Sequence, residues 1–271
     1  MNIIEDIVGY EKLNPHDLEI AKRYLDVLNQ AADPNSDLYV NAEFTNHGIT
    51  MCSNSEETIG GILVSGLNPG FNPEFDKGGI YFFDETMRDA KLYNRSEFWR
   101  NKQKQLFGLD YTLLPQTAYI DLFPYAQSNQ NQFMTDINQN VLFQVKTLEI
   151  TLDLIEYLRP KLIIESNTAT SYFWGTGEWT WLGYNLQKLE KEEMPQCVKD
   201  TKLRLYRISG NTGFKNTNDR IGQDKYLHKS NLLGSFFVDY GQYLEKHEKN
   251  CKDYMLTPEL LKSLYQEIIS I

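Results

Sequence analysis

Cysteine is scarce in this sequence, and its pattern excludes several kinds of site. The 271 residues include three cysteines, Cys52, Cys197 and Cys251, and no Cys-x-x-Cys pair occurs among them. Zinc and iron–sulfur centres are usually held by such pairs, so we expect no metal and no cofactor. An odd number of widely spaced cysteines also fits a reducing, cytoplasmic setting better than a disulfide-forming one.

Long apolar runs and a secretion signal are also missing. No apolar stretch approaches the roughly 20 residues of a membrane span, and Met1 to Asp6 lack the basic start and apolar centre of a signal peptide. A mean hydropathy of −0.50 is typical of a soluble globular protein. We therefore expect a monomer without membrane contact.

Positive charge is in short supply. The chain has 27 lysines and arginines against 37 acidic residues, a net charge of −10 that repels phosphate at long range. The distribution is uneven, however, and two segments are locally basic, although such a run is usually a solvated surface. Their basic residues are Arg88, Lys91, Arg95, Arg100, Lys102 and Lys104, then Lys202, Arg204, Arg207, Lys215, Arg220, Lys225 and Lys229.

The segment from Ile62 to Phe71 predicts a buried strand that runs into a tight loop. It opens with the apolar run Ile-Leu-Val, which suits a strand covered on both faces. Gly66 and Gly70 permit unusual backbone angles, and Pro69 fixes one turn angle. Asn68 is then held at the carboxyl end of a strand, where ligands bind in open α/β sheets. A turn chosen for geometry alone is the alternative.

The loop Gly66-Leu67-Asn68-Pro69-Gly70 resembles the water-activating motif of the uracil-DNA glycosylase superfamily. The match is to the Gly-x-Asn-Pro-Gly form of its single-strand-selective and mismatch-specific branches. Downstream, Gly79-Ile80-Tyr81-Phe82 is similar to the family's Gly-[Leu/Val]-x-Phe stretch, whose phenylalanine stacks on the extruded base. Such stacking contributes about 1–3 kcal/mol per base. Packing in the core or in a lid is the alternative role of these aromatics.

The run from Ala118 to Pro124 predicts a second core strand and contains a departure from the family. Asp121 stands where the family has an asparagine that reads the base edge. An asparagine amide donates to uracil O4 and accepts from N3–H, whereas an ionised aspartate only accepts. The ionised aspartate therefore favours a base with an exocyclic amine over uracil, unless burial near the apolar Leu122 and Phe123 raises its pKa enough to keep it protonated. A helix cap or an ion-pair partner is the alternative role of Asp121.

The last candidate motif follows a predicted strand at Leu203 to Gly210. His228-Lys229-Ser230 resembles the family's closing His-Pro-Ser motif, with lysine in place of proline. A histidine donor there stabilises negative charge on the departing base. A surface histidine near a helix start, with Ser230 as the N-cap, is the alternative.

Alternation of strands with helices predicts a parallel sheet covered on both faces. We expect an α/β fold of three layers, α/β/α, with a central, about four-stranded parallel sheet like that of uracil-DNA glycosylases. The strands are expected near residues 60–65, 118–122, 161–165 and 203–209, and helices at 94–107, 131–158, 231–247 and 257–269 and from Pro15 onward. One domain spans 1–271, with an N-terminal helical extension at 1–58, a core at 59–247 and a C-terminal helix at 248–271.

The resemblance implies hydrolysis of the base–sugar bond of a flipped nucleotide in single-stranded or mismatched DNA. It implies that Asn68 orients the attacking water, Phe82 stacks on the base, Asp121 reads its edge and His228 steadies the leaving base. The other expected substrate contacts are Gly66, Leu67, Pro69, Gly70, Phe71, Tyr81 and Ser230.

Two other functions are compatible with the sequence. The first is a catalytically inactive protein of the same fold that binds nucleic acid, a nucleotide or a protein partner. The second is a small-molecule hydrolase that uses Asp121 and Glu165.

Overall fold

The computed structural model describes residues 7–8, 14–51, 54, 56–71, 80–82, 112–165, 168–176, 181–211, 231–239 and 256–271. The helices in this part of the chain are α1 (Pro15–Ala32), α2 (Gln130–Ile137), α3 (Val141–Leu158), α4 (Thr168–Trp174) and α5 (Pro258–Ile269). The strands are β1 (Ile7–Val8), β2 (Ile49–Met51), β3 (Ile62–Gly66), β4 (Ile80–Phe82), β5 (Thr117–Asp121), β6 (Leu162–Glu165), β7 (Tyr184–Lys188), β8 (Arg204–Asn211) and β9 (Phe236–Asp239). No helix within these ranges has the length and apolar character needed to span a membrane.

A six-stranded mixed sheet forms the centre of the fold, in the order β5-β3-β6-β9-β8-β7. The strands β5, β3, β6 and β9 are parallel, whereas β8 runs antiparallel to β9 and β7 antiparallel to β8. Helices flank this sheet. The predicted α/β class is therefore confirmed, and the sheet is mostly parallel.

The predicted set of about four parallel strands is right for three members and wrong for the fourth. The predicted strand at 203–209 forms as β8, but it is antiparallel to its neighbour β9. The fourth parallel strand is β9, within the predicted helix 231–247. Its residues Phe236, Phe237 and Val238 are buried. A short apolar run of this kind is compatible with a buried strand or a buried helix, and periodicity does not separate the two.

The single helix predicted over 131–158 is in fact two helices, α2 and α3, joined by a short turn. The side chain of Asn140 accepts a hydrogen bond from the backbone N–H of Phe143 and so caps the start of α3. The helices predicted at Pro15 and at Thr257 are confirmed, with side-chain caps from Asn14 and Thr257. The helix predicted at 94–107 lies outside the described residues.

The two faces of the sheet carry separate apolar clusters because successive strand residues point to opposite sides. Leu63 and Ile163 belong to the cluster that includes the buried residues of α1 and α3. Val64 and Ile164 belong to the cluster that includes the buried residues of α5. The central strands are thus covered on both faces, which leaves the strand ends as the places where polar side chains can meet a ligand.

A small second sheet lies beside the main one, with the parallel order β1-β4-β2. Its strand β2 contacts the chain just after β5, where the N–H of Thr50 donates to the carbonyl of Pro124 at 2.8 Å. Ile49 forms an isolated antiparallel bridge with Tyr125 in the same place. These contacts attach the second sheet next to the carboxyl end of β5.

Candidate functional site

Four parallel strands end at the same side of the main sheet, which we call the carboxyl edge. Gly66 is the register partner of Asp121, and Ser65 is the partner of Glu165. Glu165 is in turn the partner of Asp239. The carboxyl edge therefore brings together polar residues from β5, β3, β6 and β9, as expected of a ligand site in a parallel sheet.

The loop after β3 is tied along its length to the chain after β5. Backbone N–H groups of the second segment donate to carbonyls of the first, and Ser128 exchanges two hydrogen bonds with the backbone of Phe71. The backbone bonds run from Leu122 to Gly66 (3.0 Å), from Phe123 to Leu67 (2.9 Å) and from Gln127 to Pro69 (2.9 Å). These bonds fix the loop that carries Asn68.

The side-chain amide of Asn68 has a defined orientation. Its Nδ2 donates to the carbonyl of Gln127 at 2.8 Å and to the carbonyl of Pro69 at 3.0 Å. Two carbonyl acceptors require that the NH₂ group faces them, because an amide oxygen there would meet two other oxygens. Within the described residues, Oδ1 accepts no hydrogen bond, and Asn68 is partly exposed. The amide therefore presents its oxygen as an acceptor for a small polar molecule such as water.

Asp121 lies at the end of β5, beside the start of the Asn68 loop. Gly66 is its register partner, and Asn68 is two residues further on, so the two Cα atoms lie within about 12 Å. The hydroxyl of Tyr119 donates to Oδ1 of Asp121 at 2.6 Å. A Cβ atom added at Gly66 would overlap both the Tyr119 hydroxyl and the same carboxylate oxygen. Glycine is thus required for this pair to pack against β3.

The protonation of Asp121 is shifted toward neutrality. Burial raises the pKa of the carboxyl to about 7, and the hydrogen bond from Tyr119 acts in the opposite direction because it stabilises the charged form. Near neutral pH the group therefore exchanges between a form that only accepts and a form that also donates. Of the two protonation states that the sequence left open for Asp121, the raised pKa favours a carboxyl that is partly protonated near neutral pH.

His47 is a residue of the site that the sequence did not reveal. Its ring stacks on Phe71 with centroids 3.7 Å apart and an angle of 15°, and its Nδ1 lies 2.8 Å from the carbonyl of Ala126. Ala126 precedes Gln127, whose carbonyl receives the amide of Asn68. His47 therefore packs against the Asn68 loop and supports it. Because His47 is distant from that loop in the chain, no local sequence pattern identified it.

The segment predicted to stack on the base forms β4, whose backbone is described. Phe82 pairs with Met51 of β2, and Tyr81 pairs with Thr50. Because Thr50 is bonded to Pro124, the backbone of this segment lies near the carboxyl end of β5. The structure thus brings the backbones of Asn68, Asp121 and Phe82 to one side of the main sheet.

His228 and Ser230 lie outside the described residues. The next described residue, Asn231, lies at the opposite side of the sheet, where its N–H donates to Glu156 Oε2 at 2.6 Å. Glu156 belongs to the end of α3, which leads into the start of β6.

Further along the carboxyl edge, the carboxylates are buried. Glu165 is fully buried and Asp239 nearly so, and Asp239 receives a hydrogen bond from Ser171 and pairs with Arg204 at 3.0 Å. Burial raises the pKa of Asp239, while Arg204 and Ser171 act in the opposite direction. Arg204, a member of the second basic segment, is thus partly neutralised. The first basic segment lies outside the described residues, as do Lys215, Arg220, Lys225 and Lys229.

Metal ligation has no support in the described part of the chain, where no group of three or more histidine, cysteine, aspartate or glutamate side chains is arranged to hold an ion.

Comparison of the chain with protein-family models, with curated proteins and with solved structures finds no match.

Proposed function

We propose that this protein hydrolyses the N-glycosidic bond of a flipped, damaged or deaminated base in DNA. The observation that carries the proposal is the fixed amide of Asn68. Its Nδ2 is bound to two backbone carbonyls, and its Oδ1 remains as an acceptor at the carboxyl edge. A water molecule that donates to Oδ1 keeps its oxygen lone pairs available for attack on a substrate held at this edge.

The reaction needs no cofactor. The water oxygen bonds to C1′ of the sugar, the bond between C1′ and the base nitrogen breaks, and its electron pair leaves with the base. The proton that the water loses passes through solvent to the departing base, so the products are the C1′ hydroxyl and the neutral base. The transition state has oxocarbenium character, as in other glycoside hydrolysis. Since a neutral amide is a weak base, Asn68 orients the water rather than deprotonating it, and we expect a modest rate.

The other residues of the resemblance complete the site. Phe82 stacks on the flipped base, and Asp121 reads its edge at the end of the neighbouring strand. The resemblance assigns to His228 a hydrogen bond to the base as it leaves and to Ser230 a contact with the substrate. The loop residues and Tyr81 form the walls of the pocket, and His47 supports Phe71.

The test is incubation of the protein with labelled oligonucleotides, single-stranded or with one mismatch, that contain uracil, hypoxanthine, xanthine, thymine or cytosine at one position. Alkali then cleaves the strand wherever a base has been lost, and a gel shows the product. We expect cleavage at one or more of these bases. An intact strand throughout, at protein in excess over DNA, contradicts hydrolysis.

A second function is favoured by two observations. Asp121 replaces the family's asparagine, and the carboxylate of Asp239 partly neutralises Arg204 at the same edge. Both fit a non-catalytic protein of this fold that binds nucleic acid, a nucleotide or a protein partner. Binding of the oligonucleotides without loss of a base supports this function, and contact with phosphates then makes the binding weaken as salt rises.

A further inference from the structure

Tyr119 is bonded to one of the two oxygens of the candidate base reader. Its hydroxyl lies 2.6 Å from Oδ1 of Asp121, while Oδ2 accepts no hydrogen bond from any described residue. The two residues are two positions apart on β5, so both side chains point to the same face of the strand. The carboxyl group is thus asymmetric, with one oxygen occupied and one left for a ligand.

This arrangement is held in place by packing. Tyr119 is only 7% exposed, and its ring belongs to the apolar cluster around Val64. Gly66 lies beneath the hydroxyl and Oδ1, where a side chain would overlap both. Rotation of the Asp121 carboxyl would therefore break a short hydrogen bond and leave a buried hydroxyl without its acceptor, which is unfavourable.

We propose that Tyr119 is a specificity-determining positioning residue, which fixes Oδ1 of Asp121 so that Oδ2 alone reads the edge of the flipped base. The inference rests on the proposed function in taking Asp121 as the base reader. An ionised Oδ2 accepts from the exocyclic amine of a cytosine-type base. A protonated Oδ2 donates to the carbonyl of a uracil-type base. One atom thus selects between two classes of base.

The choice between these classes depends on pH. Burial raises the pKa of Asp121, and Tyr119 opposes the change. In the described residues, the other titratable group that interacts with Asp121 is Tyr24 of α1. Glu165, at the end of β6, is the register partner of Ser65, whereas Asp121 is the partner of Gly66. Because adjacent residues of a strand point to opposite faces, the side chain of Glu165 points to the face opposite that of Asp121. We expect preference for uracil below about pH 7 and for cytosine above it.

The test measures binding rather than excision. Single-stranded oligonucleotides carry one 2′-fluoro-deoxyuridine or 2′-fluoro-deoxycytidine, which resist hydrolysis, and fluorescence anisotropy gives the affinity from pH 5.5 to 8.5. For the native protein we expect the ratio of the two affinities to invert across this range, with a difference of about tenfold at each end. The titration of the Asp121 carboxyl carbon is followed in parallel by NMR.

The variant Tyr119→Phe removes the hydroxyl and keeps the ring. Since the lost bond stabilises the ionised form, we expect the carboxyl titration and the inversion of base preference to move together toward higher pH, by about one pH unit. The matched control is Tyr184→Phe, which removes a buried hydroxyl that donates to Glu156 at 2.8 Å, on the opposite side of the sheet. Tyr184→Phe should leave unchanged both the midpoint of the Asp121 carboxyl titration and the pH at which the base preference inverts.

A second variant keeps the inference testable if Tyr119→Phe does not fold. Asp121→Asn retains an acceptor for Tyr119 and places a permanent donor at the reading position, so its preference for uracil should not change with pH. A native protein without base preference, or an inversion that is unmoved in Tyr119→Phe, overturns the inference. Base preference without excision in the gel assay instead contradicts the proposed hydrolysis and leaves the role of Tyr119 standing.

Discussion

Gly66 and Asp121 are direct partners on adjacent parallel strands, and the space above Gly66 is filled by Oδ1 of Asp121. The Tyr119 hydroxyl occupies the same space. The glycine that begins the Asn68 loop is therefore required by the neighbouring strand as well as by the loop itself. This relationship connects the residue proposed to orient water with the residue proposed to read the base.

The substitution Gly66→Ala tests this connection. The added methyl group displaces the Tyr119 hydroxyl and the Asp121 carboxyl, and we expect a loss of about 1–3 kcal/mol in the free energy of unfolding. Gly70→Ala is the matched control in the same loop, because no heavy atom of the described residues lies within 4 Å of its added Cβ. Urea denaturation measures both variants. Equal stability of the two would contradict the close packing over Gly66.

Removal of the Asn68 amide should abolish most of the proposed base release. We expect Asn68→Ala to lower the single-turnover rate of base release on the order of 100-fold, because the water loses its orienting acceptor. Asn140→Ala is the control. Its Nδ2 also donates to two backbone carbonyls, of Asp37 at 2.8 Å and Tyr39 at 3.1 Å, in the segment that follows α1. If both variants lose activity equally, the amide of Asn68 has a structural role alone.

The variant Asp121→Asn should change stability in a pH-dependent way. In the native protein the pKa of Asp121 rises from 3.8 to about 7, so the folded state binds more protons than the unfolded state between these values. The free energy of unfolding of the native protein therefore falls as pH rises through this window. The amide of Asp121→Asn does not ionise, so the variant does not lose this stability. Allowing for solvent screening at a partly exposed group, we expect Asp121→Asn to be more stable by about 1–2 kcal/mol at pH 8, with no such gain at pH 3.5.

The same variant should release uracil faster than the native protein at neutral pH and above. There the native carboxyl increasingly lacks the proton that uracil O4 requires, whereas the amide always donates. Single-turnover release of uracil by both proteins at pH 6 and pH 8 measures the effect, which should be larger at pH 8. Faster release by the native protein at both values would show that Asp121 does not read the base in its ionised form.

Loss of the His47 ring should loosen the Asn68 loop. Hydrogen exchange at the amides of Phe71 and Gln127 should be faster in His47→Ala, since the stacking on Phe71 and the bond to Ala126 both disappear. His16→Ala is a matched control, because His16 stacks on Tyr157 with the same 3.7 Å separation and an angle of 16°. A similar change of exchange in both variants would indicate general destabilisation.

Local sequence patterns determined a large part of this fold. The apolar run before Gly66 predicted β3, and Pro15 and Thr257 marked the starts of α1 and α5, because these signals depend on residues within a few positions of each other. The same locality made Asn68 a candidate at a strand end. Local patterns predicted the wrong element at Phe236 to Val238, because an apolar run of three residues suits a helix as well as a strand.

The arrangement of the candidate site depends on contacts between segments that are distant in the chain. Asn68 is oriented by a carbonyl 59 residues away, and Phe71 by a histidine from a turn that precedes β2. The raised pKa of Asp121 depends on how deeply the folded chain buries the carboxyl, which the apolar neighbours in the sequence suggest but do not determine. Patterns among neighbouring residues were enough to show which residue types stand at the strand ends. Packing between distant segments decided their orientation and protonation, because hydrogen bonding and burial depend on which groups meet in space.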